Sequence, residues 1–387
     1  MKKKIISILG STGSIGLTTL SVINKKKEYF KINILSANKN FRLICSQIRK
    51  YKPNLFIVND KNIYEKIKKK FKNVNISNNF DIKNNIKKSD ITITAIPGIA
   101  GLKPTISIIK FSKNILIANK ESIICGWDLI KKEALKFKTN ITPIDSEHFS
   151  ILKLIKNHNL KDIEKIYITA SGGPFLNYTK KKLKTITPKD AVKHPKWRMG
   201  KKISVDSSTL INKVFELVEA QKLFNIPNNK IDILIHPNSL VHAIIEFKNG
   251  LTEFMYHATS MKVPIANAIF DGNLNIIEFF KEKKEKLINE KLIFKKVDKE
   301  IFPIINFKNK FNEFASTPII INATNEILVD QFLRKKIPYL AIFGGIKTIL
   351  NNRNYKKYAI RKPKNINQIK TIDQWARSQA IKITTKT

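Results

Sequence analysis

Asp145 and Glu147 stand on either side of Ser146, with His148 next in the chain, and Asn212, Lys213 and Glu216 form a second group much further along. Two acids separated by one residue share a side of an extended strand or tight loop. Asn212 with Glu216 (i, i+4) and Lys213 with Glu216 (i, i+3) can share one face of a helix. The chain has only 30 Asp and Glu against 72 Lys and Arg. Three carboxylates placed in this way suggest a divalent cation held by oxygen. Neither Cys45 nor Cys125 is near them in the sequence, which favours magnesium or manganese over zinc. On this pattern alone, surface acids and a helix-face ion pair are the commoner explanation.

A second group of residues opens the chain. The apolar run Ile5–Leu9 leads into Gly10-Ser11-Thr12-Gly13-Ser14-Ile15-Gly16, after which Leu17, Leu20 and Ile23 recur at near-helical spacing. The glycines therefore belong to a strand-to-helix turn. There, backbone N–H groups and the helix N-terminus can hold a pyrophosphate, and the missing side chains let it approach. The next strand reads as Ile32–Leu35, followed by Ser36, Asn38, Lys39, Asn40 and Arg42, with no acid between Glu28 and Asp60. An NAD site usually places an acid here for the ribose 2′-hydroxyl. Two cations and three hydrogen-bonding side chains suit a 2′-phosphate, so NADP is expected, although a basic loop in a basic protein gives the same pattern.

These groups require a scaffold. Short β-type runs at 55–58, 91–94 and 115–118, separated by lysine-rich amphipathic stretches, predict a doubly wound, Rossmann-like parallel sheet, with ligand-facing residues at strand C-terminal ends. Asn119, Lys120 and Glu121 fall at such an end. The middle of the chain predicts strands at 165–169, 231–235 and 241–247, the last before a hairpin-like Asn249-Gly250. It forms a central α+β domain. Between the first two of these strands a polar segment, 171–201, runs from Gly172-Gly173 to Trp197 and Gly200 and has the character of a lid or of an ordinary surface loop. A charged stretch from Asp271 reads as linker or exposed helix. Helical periodicity over 323–333 and 339–350, interrupted by Pro338 and Gly344-Gly345, predicts a small C-terminal α-helical domain. The expected divisions are 1–148, 149–270, a linker at 271–300, and 301–387.

Composition narrows the classes. A formal charge of +42 on 387 residues invites a nucleic-acid reading. The lysines, however, are spread along the whole chain instead of clustering with aromatics on one element. Two cysteines supply neither a disulfide framework nor a metal spacing, as expected of a reducing cytoplasm. No apolar run is long enough to span a bilayer, and the first strand starts too early to leave room for a signal peptide. A cytoplasmic protein without membrane or nucleic-acid partners is expected.

Seven motifs occur in order: GSTGSIG at 10–16, ANKES at 118–122, PIDSEH at 143–148, SGGPF at 171–175, HPKWRMG at 194–200, ISVDS at 203–207 and IHPNS at 235–239. Together they resemble the 1-deoxy-D-xylulose 5-phosphate reductoisomerase family over essentially the whole chain. The resemblance implies an NADPH-dependent enzyme of non-mevalonate isoprenoid synthesis, acting on a ketose phosphate as a homodimer. It implies metal ligation by Asp145, Glu147 and Glu216. Cofactor contacts are implied for Thr12, Gly13, Ser14, Ile15, Asn38, Lys39, Asn40, Asn119, Glu121 and Gly200; Asn38 stands where the family pattern usually has glycine. The implied substrate site comprises Lys120, Ser146, Glu147, Ser171, His194, Ser207, Asn212, Lys213 and Glu216, under a lid carrying Trp197 and Met199. Lys120, Glu147 and His194 are the catalytic candidates, and His242 is a weaker one. The alternatives are another NADPH-dependent oxidoreductase, such as a semialdehyde dehydrogenase, and a basic nucleic-acid-binding protein.

Overall fold

The structure is a computed structural model that describes residues 3–82, 86–197, 199–280 and 291–385. The central part of the expected linker, 281–290, and Arg198 of the expected lid lie outside the described residues. The chain divides into two compact units. One comprises Met1–Ser122, Trp127–Phe149 and Ser260–Ile288; the other comprises Ile123–Gly126, Ser150–Thr259 and Asn289–Thr387.

The first unit is built on β1 (Lys4–Leu9), β2 (Phe30–Ala37), β3 (Leu55–Val58), β4 (Ile76–Ser77), β5 (Ser89–Thr94), β6 (Ser112–Ile117) and β7 (Asn140–Pro143). Their order is β4-β3-β2-β1-β5-β6-β7, and every neighbouring pair is parallel. A parallel sheet covered on both faces needs strands that are apolar throughout, and β3 is buried at every position. The strand order reverses beside β1, so the C-terminal end of β1 opens on the crevice where such sheets bind ligands. The sequence did not reveal β4 or β7. One has two residues and the other reads Asn-Ile-Thr-Pro, so neither carries an apolar signal. Helix Lys262–Phe270 adds Ile265, Ala266 and Ile269 to this unit's core, and Phe279 follows from the short 3-10 turn Ile276–Phe279. The start of the charged stretch is thus partly a core element.

The second unit holds a mixed sheet of β8 (Ile163–Ala170), β9 (Ile231–Ile235), β10 (Val241–Phe247), β11 (Thr252–Tyr256) and β12 (Lys295–Lys296), ordered β11-β10-β8-β9-β12. Only β8 and β9 pair in parallel. Helices Lys201–Ser208 and Ile211–Phe224 belong to this unit, as do the C-terminal helices Thr317–Leu333, Leu340–Leu350 and Ile366–Thr384. Gly344-Gly345 does not interrupt its helix. A Cβ on Gly345 would stand 2.7 Å from Leu328 Cδ1, so the glycine lets two helices pack closely. The 171–201 segment is not a plain loop either, since it contains short helical pieces at Gly173–Phe175, Lys180–Leu183 and Pro188–Ala191. Among the described residues, no helix is long and apolar enough to cross a membrane.

Candidate functional site

Helix Ser14–Lys25 starts at Gly13 with no side chain capping it and no acid in its first turn. Its leading N–H groups and positive dipole end are therefore available to an anion. Gly16 is required by close approach: a Cβ there would stand 2.3 Å from the Gly10 carbonyl oxygen. Thr12, Gly13, Ser14 and Ile15 line this turn as the sequence implied. The turn is anchored by residues that sequence reasoning missed or misjudged. Gln47, on helix Phe41–Tyr51, accepts from Ser11 Oγ at 2.6 Å and donates to the Ser11 carbonyl at 2.9 Å. The signal was a polar residue among the buried Ile44, Cys45 and Ile48 of that helix. Ser36, expected to face the nucleotide, is buried, and its hydroxyl accepts the Gly10 N–H at 3.0 Å.

Asn38, Lys39, Asn40 and Arg42 are exposed just beyond β2. Asn40 caps the next helix by accepting the Leu43 N–H at 3.1 Å, which leaves Lys39 and Arg42 as the cations at this strand end. At the end of β6, Asn119 caps helix Lys120–Phe137 through the Ser122 N–H at 2.7 Å. Its amide group donates to the Ile96 carbonyl at 2.6 Å and to Glu121 at 3.2 Å. Asn119 therefore ties the loop after β5 to the helix start, and this fixes where Lys120 and Glu121 emerge.

Asp145 sits in the two-residue connection between β7 and a helix, as the tight-loop alternative allowed, whereas Glu147 already lies in the first turn of that helix. Helix Ser146–Ile155 begins directly after Asp145, whose carbonyl accepts the Phe149 N–H at 2.8 Å. Asp145 Oδ1 lies 3.3 Å from both the Glu147 N–H and His148 Nδ1, and Oδ2 lies 3.5 Å from Lys120 Nζ. Burial pushes the Asp145 carboxyl up. The Lys120 charge and the His148 hydrogen bond outweigh that and the neighbouring Glu147 charge, so the group is held below the usual carboxylate range. Ser146 Oγ donates to Glu147 Oε2 at 2.7 Å. The result is a nearly buried anionic pair with one ammonium beside it.

In the second unit, Asn212, Lys213 and Glu216 share a face of helix Ile211–Phe224 as the spacing required. The Asn212 amide donates to Glu216 Oε1, and Lys213 Nζ lies 2.6 Å from Oε2. Just before this helix, Leu210 is buried at φ 65°. That conformation costs about 1–3 kcal/mol in a non-glycine residue, and it fixes the turn between Ser207 and Asn212. Gly173 permits a second close approach, since a Cβ there would lie 3.1 Å from the Ser207 carbonyl.

His194 ties the two ends of the 171–201 segment together. Its Nδ1 accepts the Trp197 N–H at 2.9 Å and the Lys196 N–H at 3.2 Å. Nδ1 is therefore the unprotonated nitrogen, and Nε2–H donates to Ser171 Oγ at 3.0 Å. Burial and the Lys213 charge lower the imidazole to about 4, so it is neutral near pH 7. Ser171 Oγ also accepts the Gly173 N–H at 3.1 Å. With two N–H donors on the oxygen, the serine O–H is left to donate to a further acceptor. Trp197 and Met199 are half-buried and Gly200 is exposed, directly before helix Lys201–Ser208. The Trp197 ring meets His242 edge-on at 6.3 Å, and His242 stacks on His257 at 3.8 Å.

Comparison with known proteins agrees along the chain. Family models for 1-deoxy-D-xylulose 5-phosphate reductoisomerase match residues 6–126, its C-terminal domain 141–224, and a DXP reductoisomerase C-terminal domain 257–379. The reductoisomerase of Pelagibacter ubique is 45% identical, covering 97% of each chain. That of Wolbachia pipientis from Culex pipiens is 37% identical over 93% of this chain and 92% of the other. A crystal structure of DOX-P reductoisomerase with NADPH, fosmidomycin and magnesium superimposes with a TM-score of 0.89 at 29% identity, covering 99% and 98% of the two chains. The Zymomonas mobilis enzyme in complex with NADPH gives 0.88 at 30% identity, covering 99% of each. With its motifs, its nucleotide sheet and its whole length in agreement, the chain belongs to the 1-deoxy-D-xylulose 5-phosphate reductoisomerase family.

Proposed function

We propose that this chain binds NADPH at the glycine turn, holds a divalent cation on Asp145, Glu147 and Glu216, and grips the substrate phosphate with Ser171, Ser207, Asn212 and Lys213. The reaction is the rearrangement of 1-deoxy-D-xylulose 5-phosphate and its reduction to 2-C-methyl-D-erythritol 4-phosphate, in the non-mevalonate route to isoprenoids. Another oxidoreductase or a nucleic-acid binder is not favoured.

The donor chemistry fits both groups. Three carboxylates with no sulfur suit magnesium or manganese, and cobalt is tolerated by the same set. An uncapped helix N-terminus, with Lys39 and Arg42 at the end of β2, suits a pyrophosphate and a 2′-phosphate. Asn38, Asn40, Asn119, Glu121 and Gly200 complete the cofactor contacts. When bound, the cation polarises the substrate carbonyl and adjacent hydroxyl, and NADPH supplies the hydride.

The chain's own residues do the rest. The observation that carries this reading is the Ser171 hydroxyl, whose oxygen is occupied by two N–H donors and whose proton is left for a phosphate oxygen. Lys213 and Asn212 add an ammonium and an amide donor suited to the same dianion. Lys120, beside Asp145, is the residue type to move a proton or steady a developing oxyanion. Glu147 and Ser146 hold the substrate next to it. The 171–201 segment acts as the lid, with Trp197 and Met199 excluding water from the carbon chain.

In this reading the enzyme is a cytoplasmic homodimer. Edge strand β11 supports the dimer: Phe254 is 48% exposed there, and Leu251, just before it, is 65% exposed. Apolar side chains on an unpaired edge call for a partner. The deciding assay is NADPH oxidation with 1-deoxy-D-xylulose 5-phosphate and magnesium, with and without EDTA. Turnover abolished by the chelator is expected. No turnover with metal present, or turnover indifferent to EDTA, would remove the assignment.

A further inference from the structure

The last turn of helix Lys201–Ser208 is held by two C-terminal elements that contribute nothing to the site described above. Asn325 Nδ2, from helix Thr317–Leu333, donates to Asp206 Oδ1 at 2.8 Å. Tyr339, directly before helix Leu340–Leu350, donates its hydroxyl to the Ser208 carbonyl at 2.7 Å. Ser207 lies between the two residues so held. Lys202 Nζ stands 2.8 Å from the other Asp206 oxygen, so that carboxylate is gripped on both sides. All four partners are buried: Asn325 and Ser208 are fully covered, Asp206 is 2% exposed and Tyr339 5%. Water cannot replace a bond lost there, and the acceptor left behind bears the full cost of its burial. Burial also pushes the Tyr339 phenol up, so it stays protonated and keeps donating. The Tyr339 ring packs edge-on against Phe332 at 5.7 Å and against Phe175, close after Ser171, at 5.3 Å.

We infer that Asn325 and Tyr339 are positioning residues for substrate binding: they clamp Asp206 and Ser208 so that the intervening Ser207 hydroxyl meets the substrate phosphate. The inference rests on the assignment of Ser207 to the phosphate site. A binding hydroxyl must be held to within about half an ångström of its productive place. The eight-residue helix that carries Ser207 has no side-chain cap of its own, and the strained Leu210 turn follows it. The clamp gives the C-terminal helices a task in recognition as well as in folding.

Three variants of the full chain test this: Tyr339→Phe, Asn325→Leu and Ser207→Ala. Each is assayed with saturating NADPH and magnesium, beside its NADPH Kd and melting temperature. Ser207→Ala is expected to raise KM for 1-deoxy-D-xylulose 5-phosphate about tenfold. Tyr339→Phe and Asn325→Leu are expected to raise it about three- to tenfold, with kcat and NADPH Kd nearly unchanged. An unchanged KM in Ser207→Ala would remove the phosphate assignment itself. A raised KM in Ser207→Ala beside an unchanged KM in Tyr339→Phe, measured well below its melting temperature, would overturn the clamp and leave that assignment standing. Tyr339→Phe keeps the ring contacts, so it decides the matter alone if Asn325→Leu does not fold.

Discussion

Replacing His194 by Asn and by Gln divides its two hydrogen-bonding roles. An asparagine carboxamide oxygen sits close to where Nδ1 accepts the Trp197 and Lys196 N–H groups; a glutamine amide reaches instead to where Nε2 donates to Ser171. His194→Gln thus withdraws the acceptor that shapes the loop at Trp197. The Lys196 position is exposed, so water takes over its N–H at little cost. Trp197 is half-buried, and its N–H loses a bond worth about 1–2 kcal/mol. At about 1.4 kcal/mol per decade this is roughly a tenfold fall in kcat/KM, expected mainly in kcat on the proposal that the 171–201 segment closes over bound substrate. His194→Asn keeps the loop turn and loses the Ser171 contact, so its cost should fall on KM. Steady-state kinetics give the split, and Trp197 emission in a Trp127→Phe, Trp375→Phe background reports the loop directly. Identical kcat and KM changes in the two variants, or a harmless Gln, would refute the tautomer and the loop role drawn from it.

Acid should loosen the same loop. His194 is held near 4 when the loop is formed, against 6.5 for a free imidazole, so the opened loop takes up a proton that the formed loop refuses. The formed loop therefore loses stability as pH falls from about 6.5 to about 4. Proteolysis within 171–201 should accelerate across that window in the wild type and stay flat in His194→Asn. Asp145→Asn or Glu216→Gln should abolish turnover while NADPH binding and melting temperature hold; near-normal activity at low magnesium would contradict the cation site. Lys39→Glu with Arg42→Glu should erase a preference for NADPH over NADH that exceeds about tenfold in the wild type, a charge-assisted phosphate contact supplying about 1.5–3 kcal/mol. Equal use of both cofactors by the wild type would make those residues surface charge only.

The nucleotide sheet was legible because its strands are continuous apolar runs and its glycines punctuate them. The shared helix face of Asn212, Lys213 and Glu216 was legible from their spacing, and the residues proposed to hold the cation and the phosphate were legible only as family motifs. Contributions that depend on long-range geometry were not. Gln47 and Ser36 lie on different elements and meet only when the glycine turn folds onto them. Asn119 could be named from its motif, but its capping and loop-tying bonds needed the fold. The left-handed Leu210 carries no sequence sign, since leucine is a poor residue for that conformation and only its surroundings impose it. Asp145 and Glu147 were read on an extended strand or tight loop; a tight connection does carry Asp145, but the helix that starts at Ser146 already includes Glu147.

Helix Lys262–Phe270 packs against helix Ser14–Lys25 and closes the core of a sheet whose strands end at Pro143. During synthesis, all seven strands leave the ribosome before Ile265, Ala266, Ile269 and Phe279 exist. The nascent nucleotide-binding unit therefore waits with an uncovered apolar face while the second unit is still being made, a state open to chaperones and to misassembly. A gene fragment cut at Phe149 keeps every strand of the sheet and lacks its closing wedge. Soluble expression of that half requires the 260–280 segment to be supplied with it, fused or in trans.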